Sequence, residues 1–215
     1  MNELRSDEEQ VEAIKSWWKE NGKSIVVGLL IGLLGVFGWR LWNEKRETAA
    51  EQASITYQKM VASMTENKPK VAKDLGQELI KNYDRSAYGA LAALLLAKIE
   101  AEDGHLDKAA EHLRWANTHA EVEALTTTAQ LRLARVLLSQ GKATEAWGVL
   151  SQLKGVDDLA VYQETKGDTL VALDKQEEAR KTYQQALTQL SPFVDKSLLQ
   201  MKIDNLGLDT QTAAP

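Results

Sequence analysis

The chain has 215 residues and no cysteine, which excludes disulfide bonds, thiolate metal sites and a thiol nucleophile. Its 26 basic and 31 acidic residues give a net charge of −5, so no basic face is concentrated enough to predict a nucleic-acid partner. The length allows one membrane anchor and one soluble domain of ordinary size.

Residues 1–23 are predicted to be a tail that forms a short amphipathic helix. Ser6 and Glu9 have the spacing of a capping box, and Asn21-Gly22 is a typical helix end. Apolar residues recur at helical spacing at Val11, Ile14, Trp17 and Trp18. The tryptophans favour a helix in the headgroup layer of a membrane; docking on a partner and a solvated tail are the alternatives.

The stretch 24–42, SIVVGLLIGLLGVFGWRLW, is predicted to be a transmembrane anchor, because about eighteen of its residues form an almost uncharged apolar run. A buried core helix would not carry tryptophans and charges at both ends, and a cleaved signal peptide would be followed by small residues. The anchor is therefore predicted to stay uncleaved. The expected interface anchors on its two sides are Trp17, Trp18, Trp39 and Trp42.

Glycines on the anchor suggest a contact with another helix. Gly28, Gly32 and Gly35 fall on one face, where a second helix can approach closely, although glycine is also common in membrane helices generally. Lysines and arginines are nearly balanced on the two sides of the anchor, so charge alone does not orient the chain.

The region after residue 42 is predicted to be all-α and repetitive. No alternating apolar run indicates a strand, and the small residues Ala109, Ala146 and Ala179 recur at intervals that bracket the 34-residue period of tetratricopeptide repeats. Asp174 replaces the expected turn glycine of the third repeat. The predicted fold is one N-terminal transmembrane helix followed by a tetratricopeptide-repeat-like α-solenoid over residues 43–208.

The two ends of the repeat region are less regular. Residues 49–83 fit the repeat poorly and are either a degenerate first hairpin or a cap. A last helix that starts at Pro192 is expected to cover the final repeat, and residues 209–215 are predicted to be a disordered tail.

The sequence contains no motif that predicts catalysis. His105, His112 and His119 recur every seven residues, but without cysteine or carboxylates at ligand spacing they fit a solvated stripe better than a metal site. The glycine signatures of nucleotide-binding and hydrolase sites are missing, which makes an unrecognised hydrolase the weakest hypothesis. We expect no enzyme, cofactor or metal.

A repeat solenoid offers a concave surface, lined by the first helix of each hairpin. The mixture of apolar side chains with charges of both signs on this surface suits a peptide or a partner helix, although some of the positions fit packing between repeats as well. The repeat register places eight residues there: Leu94, Lys98, Leu131, Arg135, Leu138, Glu164, Asp168 and Val171.

Short stretches over nearly the whole chain carry a family resemblance. They are Gln10-Val11-Glu12-Ala13, Glu20-Asn21-Gly22-Lys23, Gly38-Trp39-Arg40, Trp42-Asn43, Tyr88-Gly89-Ala90-Leu91-Ala92, Leu131-Arg132-Leu133-Ala134-Arg135-Val136, Gln200-Met201-Lys202-Ile203 and Asn205-Leu206. These stretches resemble the YfgM family, the ancillary subunits of the bacterial SecYEG translocon. Residues 48–84 carry little of the similarity.

The resemblance implies a non-enzymatic scaffold or co-chaperone in the lipid bilayer of the cell inner membrane, with a cytoplasmic N-terminus and a periplasmic repeat domain. It further implies association with SecYEG and with the membrane-anchored periplasmic chaperone PpiD, and transfer of unfolded client chains toward periplasmic chaperones. A second hypothesis, of another class, is a regulator whose N-terminal segment binds a cytoplasmic stress-response signalling protein.

Overall fold

Residues 7–212, which the computed structural model describes, contain nine α-helices and no β-strand, so the all-α prediction is confirmed. The predicted capping residue Ser6 and residues 213–215 lie outside this range. The helices are α1 (Asp7–Thr65), α2 (Pro69–Asn82), α3 (Ala87–Glu102), α4 (Leu106–His119), α5 (Glu123–Ser139), α6 (Ala143–Leu150), α7 (Ala160–Ala172), α8 (Gln176–Gln189) and α9 (Ser197–Thr212).

The chain divides into two compact units, Met1–Glu51 and Gln52–Pro215. Helix α1 contributes to both of them, since it ends at Thr65. In the first unit this helix is uninterrupted, and the predicted helix end at Asn21-Gly22 is wrong. The Asn21 side chain donates to Trp17 O at 3.1 Å, and the ring of Trp18 covers Gly22, so both residues are accommodated within the helix.

The described part of the chain includes one helix that is long and apolar enough to cross a membrane, within the stretch Val26–Thr65 of α1. None of the apolar window that defines this span is buried within the protein. Its large apolar side chains are exposed by 46% at Val26 to 71% at Leu34. Because so much apolar surface is unfavourable in water, these side chains require a nonpolar environment.

The second unit consists of four helical hairpins with the same turn. The last part of α1 pairs with α2, and the other pairs are α3 with α4, α5 with α6, and α7 with α8. Each turn contains one residue in the left-handed region, namely Asn67 (φ 56°), Gly104 (φ 80°), Gly141 (φ 74°) and Asp174 (φ 60°). Residues 49–83 therefore contain a true first hairpin, and Asp174 takes the place of glycine without changing the turn.

Backbone hydrogen bonds explain why this turn ends each first helix. The amide after the left-handed residue donates to the carbonyl five residues earlier, for example His105 N to Glu100 O at 2.8 Å and Lys175 N to Leu170 O at 2.9 Å. This Schellman arrangement satisfies carbonyl groups that the helix end leaves unpaired.

A completely buried alanine follows each turn by five residues and lets the two helices of the hairpin approach. Three of these alanines are the ones on which the repeat was predicted, and Ala72 is the fourth. All have an exposure of 0%: Ala72, Ala109, Ala146 and Ala179.

In two of the hairpins a glycine on one helix faces a large side chain on the other, but the helix that carries the glycine differs. In the first hairpin Met60 lies on α1 opposite Gly76 on α2, and a Cβ atom added at Gly76 would lie 2.8 Å from Met60 Cε. In the last hairpin the order is reversed, because Gly167 on α7 faces Tyr183 on α8. The exchange conserves the volume between the helices, which close packing requires.

Helix α9 closes the array. Its apolar side chains Leu199, Ile203 and Leu206 are buried in one cluster with Leu170 and Tyr183. The helix continues to Thr212 and thus extends into the stretch from residue 209 for which the sequence predicted disorder.

Replacing glycine by alanine tests the packing between α7 and α8. A Cβ atom at Gly167 would overlap the Tyr183 ring, so we expect Gly167→Ala to lower the free energy of unfolding by about 1–3 kcal/mol. The control is Gly148→Ala, where nothing lies within 4 Å of the added atom. It should raise the free energy of unfolding by up to about 1 kcal/mol, because alanine favours a helix. Urea denaturation of the full chain in detergent measures both, and a neutral Gly167→Ala would contradict the packing.

Candidate functional site

Half of the predicted groove residues come together on one surface. An open depression of about 590 Å³ lies between α5 and α7. Its lining consists of the predicted residues Arg135, Leu138, Glu164 and Asp168 together with Ser139 and Ala172, which the sequence did not indicate.

The other four predicted groove residues lie elsewhere. Leu94 and Leu131 are 5% and 7% exposed and belong to the hydrophobic core between repeats, so their predicted placement on the concave surface is wrong. Apolar side chains at these positions of the first helix pack against neighbouring hairpins. Lys98 is exposed on α3 and lies 3.7 Å from Glu102, and Val171 is 39% exposed on α7.

Lys202 on the last helix, α9, contacts the two acidic residues of the depression. Its Nζ atom lies 2.9 Å from Glu164 Oε1 and 2.6 Å from Asp168 Oδ1. The Tyr183 hydroxyl donates to the same Asp168 oxygen at 2.7 Å. On the opposite side, Arg135 Nε donates to Thr165 Oγ1 at 3.1 Å, and Arg135 Nη2 lies 3.6 Å from Glu164 Oε2.

This network keeps the lysine charged. Burial lowers the pKa of Lys202, but hydrogen bonds to Asp168 and Glu164 outweigh burial and raise the pKa overall. Burial raises the pKa of Tyr183 strongly, and its hydrogen bond to the Asp168 carboxylate raises it further. Tyr183 therefore remains a neutral donor and cannot act as a base at neutral pH.

The membrane-spanning part of α1 offers a second surface. Gly28, Gly32 and Gly35 have open space where a side chain would begin, which leaves the helix backbone accessible. A shallow depression of about 510 Å³ is lined by Gly32, Gly35, Val36, Trp39, Arg40 and Asn43. The side chains of Trp17, Trp18, Trp39 and Trp42 are 54–65% exposed and available to an interface.

Comparisons with known proteins place the chain in a family. A family model described as a tetratricopeptide repeat-like domain matches residues 15–208. The ancillary SecYEG translocon subunit of Escherichia coli (strain K12) is 32% identical to the chain over 97% of the chain and 100% of that protein. The protein of the same name from Haemophilus influenzae is 30% identical over 93% of the chain and 97% of that protein. The chain belongs to the family of ancillary SecYEG translocon subunits.

These matches confirm the family resemblance noted in the sequence. The family model also includes residues 48–84, where that resemblance was weak. Sequence reasoning missed Lys202 and Tyr183 as members of the charged network. One signal pointed to Lys202, because it follows Asp168 by 34 residues, which is one repeat period and places the two side chains on adjacent first helices.

The three histidines do not form one stripe. His105 Nδ1 lies 2.9 Å from Glu100 Oε2, His112 is half-buried, and the His119 ring stacks on Trp115 with 4.1 Å between ring centroids. Burial lowers the pKa of His112, so it is neutral at pH 7. Because their surroundings differ, the three histidines do not form one metal site.

A cluster of three side chains at the end of α3 has the residue types of a metal site. Ligand atoms of Glu100, Asp103 and His105 lie within 4.8 Å of one another. However, Lys73 Nζ lies 2.8 Å from Glu100 Oε1 and 2.8 Å from Asp103 Oδ2, so an ammonium group already supplies the positive charge. This group fastens α2 to the end of α3.

Lowering the pH tests the role of Glu100. Burial raises its pKa, but hydrogen bonds from Lys73 and His105 outweigh burial and hold the pKa below its ordinary value of 4.5. The ionised carboxylate therefore stabilises the fold fully above pH 4.5, and this contribution is lost as the pH falls through the lower folded pKa. We expect Glu100→Gln to lower the melting temperature at pH 7 and to approach wild type in acid.

The exposed Glu121 provides the control, because Glu121→Gln removes a carboxylate of the same domain that is not buried. Its melting temperature should follow wild type at every pH. A Glu100→Gln effect that is independent of pH would show that the carboxylate charge is not what stabilises the fold.

Proposed function

We propose that the chain is a non-enzymatic inner-membrane subunit that associates with the SecYEG translocon. The observation that carries this proposal is similarity over 97% of the chain and the full length of a protein named as such a subunit. The architecture supports it, since one apolar span precedes a repeat domain that carries an open, charged surface. Its mechanism is tethering, because attachment to the membrane raises the local concentration of a binding surface without new contacts.

The finer parts of the proposal concern topology and partners. We place the N-terminus in the cytoplasm and the repeat domain in the periplasm, with the chaperone PpiD and unfolded client chains as partners of the repeat domain. A cysteine-free, disulfide-free domain is compatible with an oxidising compartment. Within the membrane we propose that Gly28, Gly32 and Gly35 contact a translocon helix, because a second helix can approach closest where side chains are missing.

A regulatory role is the alternative, in which the segment before the anchor binds a cytoplasmic stress-response protein. Its support is the exposed apolar side chains Val11 and Ile14, at 48% and 66%. Deleting residues 1–21 separates the two functions. The scaffold keeps its association with SecYEG in this variant, whereas a regulator loses its binding to the signalling protein.

Site-specific photo-crosslinking in native membranes tests the translocon contact. We expect a photoreactive residue at Gly32 to capture a SecYEG subunit. The matched control is Leu34, which is 71% exposed and lies nearly opposite to Gly32 on the same helix. Equal capture from both positions would contradict a contact through the glycine face. Failure of both positions to capture SecYEG would contradict the proposed association.

Single cysteines test the topology, and the cysteine-free sequence makes each of them unique. We expect Lys154→Cys, which is exposed in the repeat domain, to react with a membrane-impermeant maleimide in spheroplasts. Lys15→Cys, which is exposed before the anchor, should react only after permeabilisation. The reverse pattern would place the repeat domain in the cytoplasm.

A further inference from the structure

Two arginines beside the depression are only partly neutralised by the chain itself. Arg132 and Arg135 lie one turn apart on α5, where side chains three residues apart are neighbours, and both are exposed. Arg132 forms no ion pair with a described side chain, whereas Arg135 reaches Glu164 only at 3.6 Å. Arg135 thus lines the depression, and Arg132 lies one turn before it on the same helix.

The acids of this surface are already occupied. Glu164 and Asp168 are held by Lys202 at 2.9 Å and 2.6 Å, and Tyr183 supplies a further hydrogen bond to Asp168. Together with Arg132 and Arg135, Lys202 makes three cations against these two carboxylates, so the charge here is positive although the whole chain has a net charge of −5.

Apolar side chains also line the depression. Leu138 on α5 and Ala172 on α7 lie in the same lining as Arg135. The surface therefore combines cations with apolar side chains.

We propose that Arg132 and Arg135 bind two carboxylates of an acidic amphipathic helix from a partner protein. Acidic residues one turn apart on that helix match the spacing of the two arginines, and guanidinium groups bind carboxylates through strong, oriented hydrogen bonds. Apolar side chains of the same helix pack on Leu138 and Ala172. This inference deepens the proposed function, because it names the chemistry of the partner that the repeat domain receives.

Peptide binding to the purified full chain in detergent tests the inference. The probe is a fluorescein-labelled amphipathic helical peptide with a leucine stripe and two glutamates one turn apart, and its partner probe has glutamines instead. We expect the glutamate peptide to bind at least roughly tenfold more tightly by fluorescence anisotropy, with a preference that falls as salt is added. Equal binding of the two peptides, or no binding of the glutamate peptide, would overturn the inference.

Substitutions of the two arginines test whether they cause the preference for the glutamate peptide. Arg132→Gln breaks no ion pair within the described chain, so it should keep the melting temperature of wild type and lose most of the preference. Arg132→Gln combined with Arg135→Gln should abolish it. Arg180→Gln, an exposed arginine on α8, should keep it, and an equal loss in this control would overturn the assignment.

This test separates the inference from the proposed function. Capture of SecYEG from Gly32 together with equal binding of both peptides would overturn the inference alone. A glutamate preference that depends on Arg132, without capture of SecYEG, would support the acidic-helix site and contradict the translocon association.

Discussion

Each hairpin of the repeat domain depends on one residue that adopts a left-handed backbone conformation. This residue ends the first helix, and the amide after it bonds to a carbonyl five residues earlier, which fixes where the second helix begins. A buried alanine follows at a constant distance and brings the two helices close together. Because all four hairpins share this geometry, equivalent positions of the first helices fall on one face. The turn therefore determines which side chains lie on that face.

On that face the chain pairs its own acids with cations. Lys202 reaches across from α9 to Glu164 and Asp168, so the last helix both caps the apolar core and supplies a cation. A polar group that stays half-buried needs such a partner, since an unpaired carboxylate there is costly. Arg135 shares Glu164 with Lys202, whereas Arg132 forms no ion pair with a described side chain.

The sequence predicted the parts of the structure that depend on local pattern. The apolar span, the all-α fold and the alanines Ala109, Ala146 and Ala179 follow from composition and period. The first hairpin was uncertain because Met60 and Gly76 exchange the sizes usual at their positions, which no single-residue pattern reveals. Leu94 and Leu131 were misplaced because a register alone does not separate a groove from the packing between repeats. The Lys202 network joins residues far apart in the chain.

The left-handed turns set the register of this face, and substitutions at Asp174 test whether they do. The Asp174 side chain is exposed, so replacing it changes the backbone preference more than any contact. The free energy of unfolding should be unchanged or up to about 1 kcal/mol higher in Asp174→Gly, because glycine adopts positive φ without strain. It should fall by about 1–2 kcal/mol in Asp174→Val, since a β-branched residue is strained there. Equal stability of the two variants would contradict the claim.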